Sequence, residues 1–192
     1  MPQHRNESFE PIGRALKKAT QALRDAGVRH MVGGSVAVWA RGGPESSHDL
    51  DLMIREQDVD AALEALAAAG LRTERPPEEW LVKAWDDNTL VDLIFCAREL
   101  PITDEVLDRS DPITVLGVTV DVMSLEDILA TKLLALGEHS LNYEAILQTA
   151  RSLREQVPWE RLRERTEHSP YARAFFTLAE GLGLTQTVEV VS

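Results

Sequence analysis

The sequence predicts an α+β fold, in which a mixed β-sheet with flanking helices is followed by a bundle of helices. Segments with strand-like alternation and segments with helical periodicity take turns up to residue 123, and only helical periodicity remains from residue 124 onward. A chain of 192 residues is long enough for one well-buried body but hardly for two independent domains. We therefore expect a core formed by residues 1–123 and a C-terminal helical region, residues 124–192, packed on that core.

The first part of the chain alternates helices with strands. The predicted elements are a helix over 8–26, a strand over 28–32, a short helix over 35–41, an exposed loop over 41–47, a strand over 48–54 and a helix over 58–70. Asp58 is the expected cap of the last of these helices. Two more strands should flank a turn at residues 86–88, and a hairpin should pivot at Leu116-Gly117.

The second part begins with a capping signal. In "SLED", Ser124 caps a helix and Asp127 stands in for the usual glutamate, and helical periodicity continues through Leu136. Further helices are predicted over 142–153, 159–166 and 169–181. The last of them begins with Ser-Pro at its cap and first helical positions.

Composition and charge limit the class of partner. With 44% hydrophobic and 27% charged residues, and no apolar run long enough to cross a bilayer, we expect a globular cytoplasmic protein without a membrane partner. A net charge of −12 opposes non-specific binding to nucleic acid. Arginines in the C-terminal third leave two interpretations open, a local basic patch or pairing with neighbouring glutamates. These arginines are Arg151, Arg154, Arg161, Arg163, Arg165 and Arg173.

Two aspartates in the strand "HDLDLMI" suggest a metal site. Asp49 and Asp51 project from the same face of a strand, roughly 6–7 Å apart at the backbone, while Leu50 and Leu52 enter the core. Carboxylates on a buried strand are costly unless a cation binds them. Two Mg²⁺ ions about 3.5–4 Å apart, held by such oxygens, can clamp the attacking and leaving oxygens of a phosphoryl transfer.

Asp92 is the best candidate for a third carboxylate. It is an isolated acid in the otherwise apolar strand "LVDLIF", where an uncompensated charge would be expensive. On a strand next to Asp49 and Asp51 it would reach the same metal ions and could orient or deprotonate an acceptor hydroxyl. The alternative is an exposed position at a sheet edge.

The turn Gly33-Gly34-Ser35 offers a seat for phosphate. Two glycines let the backbone approach an anion closely, and the first turn of the following helix supplies free N–H groups. A Gly-Gly-Ser turn alone is weak evidence. Followed fourteen residues after the serine by Asp-x-Asp in a strand, it is far more specific.

This arrangement over residues 32–92 resembles the nucleotidyltransferase superfamily that includes DNA polymerase β, and within it small bacterial members such as antibiotic nucleotidyltransferases and AbiEii/MenT-type toxins. The resemblance implies transfer of a nucleoside monophosphate from an NTP to an acceptor, with release of pyrophosphate. It implies that Gly34 and Ser35 contact the triphosphate and that Asp49 and Asp51 are ligands of two Mg²⁺ ions. Asp92 would be the third ligand and the general base.

The segment "SLEDILATKLLAL" is similar to a helix of AbiEii-like proteins that carries a lysine toward the nucleotide phosphates. The matching residue is Lys132, which would stabilise charge on the transferred and leaving phosphates. The alternative is a solvated lysine on a helix surface.

The acceptor is left open at this point. It could be tRNA, for a toxin with a cognate antitoxin, or a small molecule such as an aminoglycoside or lincosamide, or a protein hydroxyl. A non-catalytic nucleotide-binding or protein-interaction domain of the same fold is a further alternative.

Other side chains could also contact a nucleotide. Lys83 and Arg41 are the cations nearest in sequence to the proposed site. A tryptophan could stack on a base, although isolated tryptophans more often pack in the core or at its rim. The four tryptophans are Trp39, Trp80, Trp85 and Trp159.

Overall fold

A seven-stranded mixed sheet forms the centre of the protein in its computed structural model, which describes residues 9–44, 49–97 and 100–185. In chain order the strands are β1 (His30–Val32), β2 (Leu50–Ile54), β3 (Arg72–Glu74), β4 (Leu81–Asp86), β5 (Thr89–Ile94), β6 (Cys96–Ala97), β7 (Leu100–Pro101), β8 (Asp111–Val115) and β9 (Val118–Val122). The large sheet has the order β3-β4-β5-β2-β1-β9-β8, and β6 and β7 form a separate ribbon.

Eight helices surround or follow this sheet within the described ranges. They are α1 (Phe9–Asp25), α2 (Gly34–Ala40), α3 (Val59–Ala68), α4 (Asp104–Asp108), α5 (Leu125–Leu134), α6 (Tyr143–Ser152), α7 (Trp159–Thr166) and α8 (Pro170–Gly181), with short 3-10 turns at Glu56–Asp58 and Arg154–Gln156. The predicted α+β fold is confirmed, and the four helices after β9 are the predicted C-terminal bundle.

The two faces of the sheet are covered by different helices. α1 packs on β2, β5 and β9, and α3 packs on α1 and β4. The Lys18 ammonium of α1 pairs with the Asp86 carboxylate at 2.7 Å, which holds α1 on the face where Leu50 and Leu52 are fully buried. α2 packs on the opposite face of β2 and contacts α5. The face that α1 leaves open is therefore the one toward which Asp51 projects.

The C-terminal helices assemble around α5, which contacts α6, α7 and α8 as well as α2. Their starts follow the predicted capping chemistry. Ser124 accepts a hydrogen bond from the Asp127 backbone N–H, and Ser169 accepts one from the Ala172 N–H ahead of Pro170. The division into two units at residue 123 stays a prediction.

A buried ionic cluster ties the start of α5 to the rest of the molecule. The Asp127 side chain is 1% exposed and accepts hydrogen bonds or ion pairs from Ser124 at 2.6 Å, Arg109 at 2.9 Å and Arg165 at 2.6 Å. Burial alone raises the pKa of Asp127, but the hydrogen bonds from Arg109, Ser124 and Arg165 hold it below its ordinary value. Because Arg109 follows α4 and Arg165 lies on α7, this one carboxylate joins three parts of the fold.

Most predicted elements are present with ends shifted by one to three residues. The hairpin pivots at Leu116-Gly117, where both residues have positive φ angles of 50° and 81°. Asp58 occupies the predicted N-cap position of α3, but the expected capping hydrogen bond is absent, because its carboxylate pairs with Arg55 Nε at 2.6 Å. Part of the predicted 41–47 loop lies outside the described residues. In the part of the chain that the structure describes, no helix combines the length and apolarity needed to span a bilayer.

Asp127→Asn should lower the free energy of unfolding by about 2–4 kcal/mol, because it leaves the Arg109 guanidinium without its carboxylate partner and leaves Arg165 with Glu126 alone. Urea denaturation measures the change. The matched control is Glu180→Gln, which breaks the pair with Arg163 where both side chains are about half exposed and should cost less than about 1 kcal/mol. Equal losses in the two variants would refute a special role for the buried cluster.

Candidate active site

Charged side chains form a row across the open face of the sheet. Asp51 of β2 pairs in parallel register with Asp92 of β5, and Asp92 pairs in antiparallel register with Lys83 of β4. Directly paired residues on neighbouring strands project from the same face. Asp49 lies in the bend just before β2, and its negative charge acts on both Asp51 and Asp92. The predicted Asp49, Asp51 and Asp92 are thus neighbours.

The glycine turn lies directly against this row. The Gly33 N–H donates to the Asp51 carbonyl at 2.9 Å, and α2 begins at Gly34, one residue earlier than predicted. Gly34 has a φ of +55°, and a Cβ added there would lie 1.7 Å from Asp51 Oδ2. Only glycine lets the backbone pass so close to the carboxylate. Ser35 follows in the first turn of α2 and is half-buried.

Burial and neighbouring negative charges strongly raise the pKa of Asp51. Burial, followed by repulsion from Asp49 and Asp92, raises the pKa of Asp51 from its ordinary 3.8 to about 7, although Lys132 and Lys83 offset part of this shift. Without a further cation, the folded protein therefore disfavours the ionised form of this side chain. A divalent cation at the same place would relieve the repulsion.

Lys83 is a site residue whose contact the sequence analysis did not identify. Its ammonium donates to Asp92 Oδ1 at 3.3 Å, so it faces a carboxylate and not the turn expected to hold phosphate. Burial raises the pKa of Asp92, and the Lys83 charge and hydrogen bond offset part of the rise. The sequence does contain a usable signal, because a hairpin centred on Asp87-Asn88 puts residue 83 opposite residue 92.

A cleft of about 640 Å³ opens beside the carboxylates, between the sheet and α5. Of the three aspartates, Asp51 alone lines it, together with Gly34 and Lys132. The rest of its wall is mostly apolar and consists of Met53, Trp80, Ile94, Ala97, Ile128, Thr131, Leu134 and Ala135. Its volume falls within the range of about 300–1,000 Å³ typical of small-molecule sites.

Lys132 reaches the same cleft from α5. Its side chain is half-buried, and among the described residues it makes no ion pair within 4.0 Å. Burial lowers the pKa of Lys132, and the nearby Asp51 charge offsets part of this. The position of Lys132 in the cleft agrees with the predicted approach to a nucleotide, and its contact with the nucleotide stays a prediction.

The donor chemistry fits a hard divalent cation. All three acids supply carboxylate oxygens, the ligands that Mg²⁺ prefers. In the described ranges, however, no three His, Cys, Asp or Glu side chains converge closely enough to hold one ion together. Mg²⁺ commonly takes one or two carboxylates and completes its shell with waters and substrate phosphates. The geometry therefore fits a metal site completed by substrate and does not form an all-protein cage.

The other candidate nucleotide contacts have structural partners. Arg41 is largely buried and donates to the Met123 and Val122 carbonyls at 2.8 and 3.0 Å, so it fastens α2 to the end of β9. Trp85 lies under the Arg72 guanidinium, 5.1 Å from its ring centroid. Trp39 and Trp159 pack against the core.

The C-terminal arginines are mostly paired with acids. Their partners are Glu155 for Arg154, Glu126 for Arg161, Glu180 for Arg163, and both Glu126 and Asp127 for Arg165. Arg173 donates to the Glu167 carbonyl. Of the two open interpretations, pairing with neighbouring acids agrees with these contacts.

Asp51→Asn should stabilise the metal-free protein above pH 7 by roughly 3–4 kcal/mol. Folding raises the pKa of the Asp51 carboxyl group, so its ionised form destabilises the native state, and the substitution removes that charge. Between about pH 4 and pH 7 the native state holds a proton that the unfolded state has released, so wild-type stability falls as pH rises through this window. Urea denaturation in EDTA at pH 5 and pH 8 measures the difference. The exposed Asp121→Asn is the control, and an advantage of Asp51→Asn that does not grow with pH would contradict the expectation.

Gly34→Ala should destabilise the protein more than Gly27→Ala does. Both glycines have positive φ, +55° and +69°, but nothing lies within 4 Å of a Cβ at Gly27. The Gly27 variant should lose only the left-handed backbone term of about 1–2 kcal/mol, whereas the Gly34 variant must also displace the Asp51 carboxylate. Unfolding free energies of the two variants test this, and similar losses would show that the Asp51 contact is unimportant.

Solved structures with a similar fold include an antibiotic-resistance factor and a nucleotidyltransferase-like protein. The antibiotic-resistance factor ANT(2'')-Ia aligns with a TM-score of 0.60 at 17% identity, over 91% of this chain and 98% of that chain. Its structure in complex with adenylyl-2''-tobramycin aligns with a TM-score of 0.58 at 16% identity, over 87% and 98%. An antigenic nucleotidyltransferase-like protein from Paracoccidioides brasiliensis gives 0.58 at 14%, over 91% and 89%. At these identities the similarity establishes the fold.

Sequence comparison gives a more direct assignment. A comparison with proteins of curated function finds no match. The model of the family described as nucleotidyl transferase of unknown function (DUF2204) matches residues 13–174. This range contains both the glycine turn and the three aspartates, as well as Lys132. The chain therefore belongs to this nucleotidyl transferase family and is an enzyme of the nucleotidyltransferase superfamily.

Proposed function

We propose that this protein is a Mg²⁺-dependent nucleotidyltransferase that moves a nucleoside monophosphate from an NTP to an acceptor hydroxyl and releases pyrophosphate. The observation that carries the proposal is the row of Asp51, Asp92 and Lys83, with Asp49 beside it, directly against the Gly34 backbone. A carboxylate row next to a glycine turn matches the requirement to hold cations and phosphates within a few ångströms of each other.

Each side of the site has a proposed role. Asp49, Asp51 and Asp92 would hold two Mg²⁺ ions, which when bound neutralise charge on the transferred and leaving phosphate oxygens. Gly33, Gly34 and Ser35 would receive the triphosphate at the start of α2. Lys132 lines the same cleft as Gly34 and would balance charge on the departing pyrophosphate.

The transfer step would then be an in-line displacement. The acceptor oxygen forms a bond to the α-phosphorus while the bond from that phosphorus to the pyrophosphate oxygen breaks. Asp92 accepts the hydroxyl proton. The hydrogen bond from Lys83 to Asp92 Oδ1 occupies one carboxylate oxygen and would orient the other toward the acceptor.

The charges of the protein favour a small-molecule or protein acceptor over tRNA. A tRNA acceptor requires a basic surface for its phosphates, whereas Arg154, Arg161, Arg163 and Arg165 pair with acids and the chain carries a net charge of −12. Such an enzyme would attract a cationic, hydroxyl-bearing small molecule. In ANT(2'')-Ia a related fold holds an adenylylated small molecule. Cytoplasmic NTP would be the donor.

The toxin hypothesis makes a different prediction about the acceptor. An enzyme of a toxin–antitoxin pair acting on tRNA would label the RNA fraction and would bind a cognate antitoxin. A non-catalytic domain of the same fold would bind nucleotide without Mg²⁺ and would label nothing.

One assay separates these functions. The protein is incubated with Mg²⁺ and each of four α-³²P-labelled NTPs, against total tRNA, a cell-extract protein fraction and a panel of aminoglycosides and lincosamides. We expect label on a small molecule or a protein, and pyrophosphate in equal amount. Label on tRNA would support the toxin hypothesis and refute the acceptor class favoured above.

Asp92→Asn should abolish this labelling while Mg²⁺-dependent NTP binding largely survives, because the amide cannot accept the hydroxyl proton. Asp49→Ala and Asp51→Ala should instead lose the Mg²⁺ dependence of NTP binding, measured by calorimetry with and without EDTA. The exposed Asp121→Asn serves as the matched control. Unchanged turnover in Asp92→Asn would remove that residue from the mechanism.

A further inference from the structure

The cleft beside the carboxylates has two chemically different ends. At one end stand Gly34, Asp51 and Lys132, which suit a charged group. The wall becomes apolar with distance from Asp51, because Met53 is two residues further along β2, Ile94 of β5 pairs with Met53, and Trp80 precedes β4. A ligand that fills the whole cleft must therefore carry a charged group at one end and an apolar or aromatic group at the other.

Trp80 is the notable side chain of the apolar end. It is 43% exposed, whereas the other three tryptophans are only partly exposed. Its backbone is fixed, because its carbonyl accepts hydrogen bonds from the Phe95 and Cys96 N–H groups at 3.1 and 3.3 Å. The other tryptophans are packed in the core or, like Trp85, covered by a guanidinium group. Trp80 thus presents an open indole ring on a fixed backbone to the cleft.

We propose that Trp80 stacks on the base of the bound NTP and supplies most of the affinity that the nucleoside adds to the triphosphate. The proposal rests on the proposed function. The dimensions agree with it: from Asp51, one step of two residues along β2 reaches Met53, and two strand spacings across β5 to β4 reach the level of Trp80. Because these two displacements are perpendicular, they combine to about 12 Å, the scale of an extended nucleotide.

The lining residues favour the nucleotide over the acceptor as the occupant. Gly34 and Lys132 line the same cleft as Trp80. A ligand whose phosphates lie against Gly34 and Lys132 therefore has its other end near Trp80. An acceptor must bring its hydroxyl to Asp92, which does not line this cleft. The face of β4 and β5 on the Lys83 side of Asp92 is left for the acceptor.

The test compares an NTP with inorganic tripolyphosphate, which has the phosphates but no base. Calorimetry with Mg²⁺ measures both ligands on the wild-type protein, Trp80→Ala and Trp80→Phe. We expect Trp80→Ala to weaken NTP binding by about tenfold or more, the size of a lost stacking contact, and to leave tripolyphosphate binding unchanged. Trp80→Phe should recover most of the NTP affinity. Trp159→Phe, at a residue that does not line the cleft, is the matched control and should bind both ligands normally.

The outcomes separate this proposal from the proposed function. An NTP advantage over tripolyphosphate that survives in Trp80→Ala overturns the role of Trp80 while the phosphate site stands. Equal loss of both ligands in Trp80→Ala also overturns it, because Trp80 would then support the site as a whole. If the wild-type protein binds neither ligand, the proposed function fails and this proposal fails with it. Nucleotide-dependent quenching of indole fluorescence that persists in Trp80→Phe would likewise refute stacking at this residue.

Discussion

The parallel register of β2 on β5 is the constraint on which the site depends. Asp51 is opposite Asp92 because Leu50 is opposite Val91 and Leu52 is opposite Leu93. Those four apolar side chains are fully buried on the face that carries α1. A slip of one residue would turn Asp92 into this core and a leucine into the cleft. Burial of the apolar set therefore fixes the register, and the register fixes the carboxylates, so fold and site are specified by the same alternation.

The same arrangement works against stability, because it gathers like charges on a partly buried surface. Burial, and after it repulsion from Asp49 and Asp92, raises the pKa of Asp51 to about 7, and Gly34 must adopt a left-handed conformation beside it. Stabilising contacts lie elsewhere in the molecule. Lys18 and Asp86 hold α1 on the opposite face, and Asp127 joins two guanidinium groups at the start of α5. The carboxylate row can remain electrostatically unfavourable because the rest of the fold supplies the net stability.

Sequence patterns predicted the parts of the molecule that depend on local chemistry. The spacing of Asp49 and Asp51, the glycine turn and the cap at Ser124 each follow from a short stretch of residues. What the sequence did not predict depends on pairing across the fold. Strand β3 is a three-residue polar edge strand that exists because it pairs with β4, and α4 and the β6–β7 ribbon are similarly short. Asp58 is a good cap by type, yet Arg55 competes for its carboxylate. The contact of Lys83 with Asp92 depends on the register of the β4–β5 hairpin. The partial burial of three of the tryptophans depends on tertiary packing.

The lack of a preformed three-ligand cluster among the described acids has a consequence for the proposed function. One oxygen of Asp92 accepts a hydrogen bond from Lys83, and Asp51 is partly protonated near pH 7. If a cation binds as proposed, it would have to displace a proton from Asp51, and it would gain more from doing so when a triphosphate supplies further oxygens. Metal and nucleotide then stabilise each other's binding, because neither completes the charge balance alone. In such a site the protein provides one side of the coordination sphere and the substrate provides the other, so the metal is held in full only when there is a phosphate to transfer.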